Sequence, residues 1–518
     1  MRYWIYICFA WISVGCSVAQ FNPEPKKVTD MYFPDVESIQ NVTPALKKKK
    51  GFTNYVELMA FLNEQQAQHP TWVEVKFIGK SQKGLDIPIV FIKNPNSDEQ
   101  KIRVWLQGGL HGNEPASTEG MLYFIYQILN DPKWSYLLNR MEIAVVPMAN
   151  IDGYLKLDRY AANGLDLNRD QTKLMAPESV VLKKAFSDFN AHVALDFHEY
   201  NPYRKDFAKL ASFGITSAYD VMFLYSNNLN VPENMRKLID TCFVEDARKA
   251  MDANKLRHHD YISTQHDCGE IHFRQGSTSA RSSASSYALT NAVSALIEVR
   301  GVNLGRTSFK RRINTTFLVA MSFLETAYKN IDLIHASVNL AVQTNQDVVV
   351  TSTIPNSTSQ IKAIDLDKYE LIDLPITVKN AKDIQPKLTR PQPDAYLLSK
   401  ELGFIAEKLR VLGLTVQTLE QDISYEVEVY TVSTYTKDQT VYEKMFMQTV
   451  TTTLSKRTIV FPKGSFMVYT NQKNKGLLFE VLEPEAPSSF VSFGVLPTAL
   501  NQELPIYRYF KPNNIQQP

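Results

Sequence analysis

Apolar residues recur along the first two thirds of the chain with two alternating periods. Tyr55, Leu58, Met59 and Leu62 fall at helical spacing and predict a helix within residues 52–68. Two β-rich runs follow, at residues 72–77 and 87–92, around a turn at Gly84. Strand-like runs at 102–106, 142–147, 193–197 and 295–299 then alternate with helical stretches near 118–129, 180–190 and 307–328. Strands that alternate with helices in this way pair mainly in parallel, because each crossover returns the chain to the same edge. The expectation is an α/β domain over residues 51–335: a mixed, mostly parallel, twisted sheet flanked by helices.

Beyond about residue 336 the pattern changes. Thr, Val, Ser and Tyr dominate runs such as 348–353, 425–436 and 449–453, with a proline-rich stretch at 386–393 and one helical pattern near 395–412. Residues 336–518 therefore read as a smaller β-rich C-terminal domain of unknown role, with neither an internal repeat nor a nucleophile or metal motif.

The N-terminus has a different signature. Arg2, the apolar stretch Tyr3–Val14 and the small residues Ser17-Val18-Ala19 form a signal peptide over residues 1–19, too short in its apolar part to span a bilayer. It implies a secreted, periplasmic or extracellular mature chain. A lipid anchor on Cys16 is the rival reading, weakened by Ser13 where a larger aliphatic residue is usual. Residues 20–50, rich in Pro, Lys and Asp, read as an exposed leader whose Lys47–Lys50 run is a solvated loop. Cleavage leaves Cys242 and Cys268, either paired in an oxidising compartment or two free thiols.

Charge narrows the function classes. The 518 residues carry 56 Lys and Arg against 54 Asp and Glu, a net charge of +2, which provides no broad footprint for nucleic acid or anionic membrane. The informative feature is instead where polar clusters follow the apolar runs. Four of them do so, and in open α/β sheets the ligand crevice lies beyond the carboxyl ends of the strands, so the four are expected to share one site.

The first cluster, His111-Gly-Asn-Glu114, offers two metal-ligand types three positions apart, a spacing that alone arises often by chance. Zinc in hydrolases is commonly held by two histidines and a carboxylate with a fourth position open for water, and His198, ending the run at 193–197, is the third candidate. A core histidine is the plainer reading of His198 in isolation. Asp196, Asp166 or Asp170 could orient a ligand imidazole, a choice the sequence leaves open. Glu298, a lone carboxylate in an apolar run, is the candidate general base, since burial raises its proton affinity. Its structural alternative is an ion pair with Arg300, which strict alternation places on the same face. Asn168 and Arg169 make a plausible carboxylate clamp, and Arg159 a cation for an oxyanion. His258, His259, His266 and His272, near Asp260, Asp267 and Glu270, match no ligand spacing and read as a substrate-facing loop.

In this order, His111-x-x-Glu114, Asn168-Arg169, His198 and Glu298-x-Arg300 resemble the zinc carboxypeptidase family of the carboxypeptidase A type over about residues 50–330. The resemblance implies an eight-stranded mixed sheet and one zinc ion on His111, Glu114 and His198, with Glu298 promoting the water. It also implies that Asn168 and Arg169 hold the substrate's terminal carboxylate while Arg159 polarises the scissile carbonyl. The chain departs from the digestive branch, whose members carry a tyrosine that closes over the substrate some two dozen residues before the catalytic glutamate. Residues 276–284 contain none; Tyr261 and Tyr287 are possible substitutes, and Arg281 could read a carboxylate instead. The wording of residues 166–170 and 196–200, with the β-rich extension, is more similar to exported bacterial members. The expected function is a secreted zinc metallocarboxypeptidase acting on C-terminal peptide bonds of peptides or proteins. A zinc deacylase of N-acyl amino acids, and a zinc- or peptide-binding protein without turnover, are the alternatives.

Overall fold

The computed structural model describes residues 24–212, 214–267 and 269–512. The expected signal peptide, its cleavage point, Cys16 and Cys268 lie outside the described residues, while Cys242 is half-buried. Among the described residues no helix is long and apolar enough to cross a membrane.

An eight-stranded mixed sheet forms the centre. From one edge its strands run Val73–Lys80, Asp86–Lys93, Met141–Val146, Ile102–Gly108, Val193–Tyr200, Val293–Arg300, Val221–Tyr225 and His258–Asp260. The four in the middle, from Met141–Val146 to Val293–Arg300, are mutually parallel. Both outer pairings on the first side, and the contact of Val221–Tyr225 with Val293–Arg300, are antiparallel. Val193–Tyr200 is buried along its whole length, which explains its unbroken apolar start: a strand covered on both faces has no solvent side to mark with polar residues. The covering helices include Pro115–Asn130, Pro177–Phe189 and Phe309–Lys329, within two residues or so of the expected stretches apart from their first turns.

The C-terminal third is more closely joined to the first domain than the expected boundary implies. Residue 335 falls inside a helix, Ile331–Gln343, whose apolar periodicity the β-rich composition downstream obscures. A five-stranded sheet takes Ile215–Ser217, Ile262–Asp267 and Glu270–Gln275 from the first part and Asn356–Asp365 and Leu371–Asn380 from the second. A six-stranded antiparallel sheet follows, and the helix Lys475–Leu482 buries Leu477, Leu478 and Leu482 in the main core. The expected helix at 395–412 is a strand, Ala395–Leu398, then a turn and a shorter helix, Gly403–Val411. The four strand residues are wholly buried between two antiparallel neighbours, and that pairing overrides their weak helical preference.

The leader's described part, residues 24–50, is exposed at about half of its positions but is pinned to the fold by buried apolar anchors. Val28 and Phe33 pack with Ala218 and Ile364, and Ile39, Ala45 and Leu46 pack with Tyr123, Phe309 and Ile313. Polar composition misleads here because its charged residues alternate with a few apolar anchors, and those anchors decide burial.

Candidate active site

His111 and Glu114 leave the strand Ile102–Gly108 through a turn that only glycine permits. Gly109 has φ of +66°, and a Cβ there would lie 2.6 Å from the Thr118 hydroxyl. A Cβ on Gly112 would sit 2.1 Å from the Gly153 backbone. The turn is thus pressed flat against its neighbours, and Glu114 holds the N-cap position of the helix that begins at Pro115, whose fixed φ suits a first helical position, while its carboxylate turns to the two histidines. Both side chains are buried as a result.

His198 and Glu298 face the same crevice from neighbouring parallel strands, where they are register partners. The donor atoms of His111, Glu114 and His198 lie within 4.8 Å of one another, the one such group of potential metal ligands among the described residues. His111 Nδ1 is 2.8 Å from Glu114 Oε1 and 3.0 Å from His198 Nδ1, and His198 Nδ1 is 2.9 Å from Glu114 Oε2. Each ring is held from behind: His111 Nε2 by Asp166 Oδ1 at 3.0 Å, His198 Nε2 by Asp196 Oδ2 at 2.9 Å. Both Nδ1 atoms therefore point at one place with their far nitrogens engaged by carboxylates, the arrangement in which imidazole is an oriented, basic metal ligand. The donor set fits zinc. Asp170 instead accepts the backbone N–H groups of Met175 and Ala176, so two of the three candidate orienters contact a ring.

The electrostatics follow from burial and crowding. Burial resists a charge on Glu114, but His111 and His198 outweigh it and hold its carboxyl far below the ordinary range. Burial likewise opposes protonation of His198, yet Asp196 and Glu114 raise its proton affinity well above normal. Glu298 responds in the opposite sense. Burial and the nearby Glu114 charge push it up to about 7, against the smaller pull of His198, His111 and Arg159.

Arg159 donates through Nε and Nη2 to Asp166 Oδ2, at 3.1 and 2.9 Å, while its Nη1 stands 3.6 Å from Glu114 Oε1. Asn168 sits in a short helical turn capped by Asp166, its amide oxygen accepting the N–H of Ser283 at 2.8 Å. Arg169 donates to the Asn168 carbonyl. A cavity of about 640 Å³ is lined by Arg159, Asn168, Arg169, Glu298 and His111 together. Glu114 and His198 are buried just beneath it.

Three sequence expectations change. Arg300 does not pair with Glu298; its guanidinium bonds Glu24 and the Ser217 carbonyl and stacks 3.9 Å from the Phe33 ring centroid. Its partner is in the leader, 276 residues away, beyond the reach of local alternation. Of the two substitute tyrosines, Tyr261 lines the cavity, whereas Tyr287 is buried, stacked on Phe186 with its hydroxyl on Gln107. The histidine-rich segment is not a loop but three strands, His258–Asp260, Ile262–Asp267 and Glu270–Gln275, and its histidines turn to local partners such as Asp252 and Glu270. Tyr261, Ile262, Ser263 and Arg274 from this segment do face the cavity.

One contributor was missed altogether. The long hairpin Ile423–Tyr442 and Met445–Phe461 reaches from the C-terminal sheet to the crevice. At its tip the Tyr442 hydroxyl accepts from Arg281 Nη1 at 3.1 Å, and Glu443 Oε2 accepts the Asp166 N–H at 3.2 Å. No sequence signal marks it: the turn at Glu443 and Lys444 is left-handed, yet it holds neither Gly nor Asn, the residues that announce such a turn.

Comparison with known proteins identifies the family. A zinc carboxypeptidase family model matches residues 58–303. Carboxypeptidase 2 of Trichophyton rubrum is 31% identical over 530 residues, covering 97% of this chain and 96% of that protein. Carboxypeptidase 2 of Trichophyton equinum is 33% identical over 444 residues, covering 83% and 81%. Among solved structures, carboxypeptidase A from Helicoverpa armigera aligns over 56% of this chain and 78% of its own with 21% identity and a TM-score of 0.43. With a match running nearly end to end in both proteins, this chain belongs to the zinc carboxypeptidase family and is a metallocarboxypeptidase, a hydrolase of peptide bonds.

Proposed function

We propose that the chain is an exported carboxypeptidase that binds one zinc ion through His111, Glu114 and His198 and removes single residues from peptide C-termini, with Glu298 as general base. The observation that carries this reading is the convergence of two oriented Nδ1 atoms and a carboxylate beside Glu298, on the wall of the cavity that holds Asn168 and Arg169. Zinc bound there would supply a Lewis acid that acidifies water and offsets negative charge on a carbonyl oxygen.

The residues divide the remaining work. Asn168 and Arg169 bind the substrate's terminal carboxylate, Arg169 through a planar guanidinium matched to a planar anion. Glu298 takes a proton from the attacking water as its oxygen bonds to the carbonyl carbon. Arg159 donates from Nη1, the nitrogen not used on Asp166, to the carbonyl oxygen as it becomes negative. Glu298 then returns the proton to the amide nitrogen, the C–N bond breaks and the amine leaves. The raised proton affinity of Glu298 suits both transfers.

Glu298→Gln should abolish hydrolysis, by about a thousandfold or more for a lost general base and its charge, while zinc remains bound at one ion per chain. Wild-type enzyme should cleave peptides with free C-termini and ignore C-terminal amides. Persistent turnover in the variant removes the general-base role, and equal rates on amides remove the carboxylate clamp. Faster release from N-acyl amino acids than from any peptide identifies a deacylase.

A further inference from the structure

The wall of the catalytic cavity carries more positive charge than cleavage of a plain peptide needs. Arg159 is matched by Asp166, Arg204 by Asp206 and Lys362 by Asp373. The carboxylate of Glu199 on the same wall is itself taken up by Arg312. Three guanidinium groups lining the cavity, Arg169, Arg274 and Arg281, make no ion pair among the described residues. A substrate's α-carboxylate satisfies one of them.

Arg281 is the best placed of the others to meet the terminal residue. Ser283, two positions on, donates its N–H to Asn168, so the Arg281 segment is tied directly to the proposed clamp. The guanidinium is also fixed in position. Arg281 Nη1 donates to the Tyr442 hydroxyl, and the group lies 5.3 Å from the Tyr442 ring centroid and 4.8 Å from that of Phe493. Its Nε is buried with no hydrogen-bond partner. Glu443, beside Tyr442, spends an oxygen on the Asp166 N–H and forms no ion pair with Arg281. A held cation on the cavity wall, paired with no carboxylate among the described residues, is stabilised by an anion that arrives with the ligand.

Building on the carboxypeptidase reading above, we propose that Arg281 is the specificity-determining residue of this enzyme and that it selects peptides ending in aspartate or glutamate, whose side-chain carboxylate it binds. Tyr442 acts as a positioning residue for that guanidinium.

The test uses the zinc-loaded full chain and a series of N-blocked peptides differing only in the last residue: Glu, Asp, Leu or Lys. The wild type should show kcat/KM for Glu at least about tenfold above Leu or Lys, the scale of one charge-assisted hydrogen bond. Arg281→Gln should lower the Glu-to-Leu ratio by about tenfold or more, chiefly through KM, and Arg281→Glu should turn the preference toward Lys. Wild-type preference for Leu or Lys over Glu overturns the proposal without the need of any variant. So does an Arg281→Gln enzyme that loses the same factor on every peptide, since that marks a residue reading the α-carboxylate or supporting the fold. Hydrolysis of the matching C-terminal amides at equal rates would instead sink the underlying carboxypeptidase reading, so the two failures are distinguishable.

Discussion

Under the proposed mechanism the environment of Glu298 sets the pH range of the reaction. Burial and Glu114 push its carboxyl up to about 7, and Arg159 is among the charges that hold it down. A bound dication lowers it further. Because a general base works only when deprotonated, kcat/KM should fall as pH drops through a limb centred at or below about 7. Arg159→Ala should move that limb upward as well as lower the plateau, by about a hundredfold for a lost oxyanion donor. A pH–rate profile of both proteins checks this; an unmoved limb would mean that the titrating group is not Glu298. The residue scale is also where the sequence was most legible. His111, Glu114, His198, Glu298, Arg159, Asn168 and Arg169 all end up around one crevice because each lies in the last residues of an apolar strand-like run or in the segment that follows one. Which aspartate holds which ring was not legible, since spacing does not say which imidazole nitrogen faces inward.

At the scale of elements, the parallel centre of the sheet explains why four separated clusters share a site. Parallel strands deliver all their carboxyl ends to one edge. The buried runs and amphipathic helices were readable because their periods are local, while the strand Ala395–Leu398 was not, since only its neighbours determine its state. The hairpin tip is the clearest case of an element whose role depends on distant contacts. Residues 438–442 are exposed, so they contribute little to the core, yet Tyr442 and Glu443 touch Arg281 and Asp166. Lys437 and Gln448 are register partners, which allows residues 438–447 to be replaced by a two-residue Asn-Gly turn. That variant should melt within a few degrees of wild type while kcat/KM on short peptides falls about tenfold, the worth of roughly one lost polar contact on each side. Unchanged turnover would show that the tip is a bystander.

For the whole molecule, the unexpected result is how the leader and the C-terminal sheets join the catalytic core. Glu24 bonds Arg300, Phe33 packs beneath that guanidinium, and Thr43 and Thr53 donate to the buried Glu119. Composition placed residues 20–50 outside the fold because partners hundreds of positions away leave no local trace. Phe33 is only 1% exposed. Phe33→Ala should therefore cost about 3–5 kcal/mol of stability, as for other buried aromatics, and also leave Arg300 without its ring. Chemical denaturation measures the loss; a change below about 1 kcal/mol would return the leader to a peripheral strap.

The most direct test of the account is a zinc-edge anomalous diffraction map of crystals soaked with a peptide product. The expected result is one zinc ion per chain, bonded to Nδ1 of His111, Nδ1 of His198 and the Glu114 carboxylate, with the product's terminal carboxylate on Asn168 and Arg169. Zinc held elsewhere, such as among His258, His259 and His266, or bonded at this site through Nε2 atoms now engaged by Asp166 and Asp196, would contradict it.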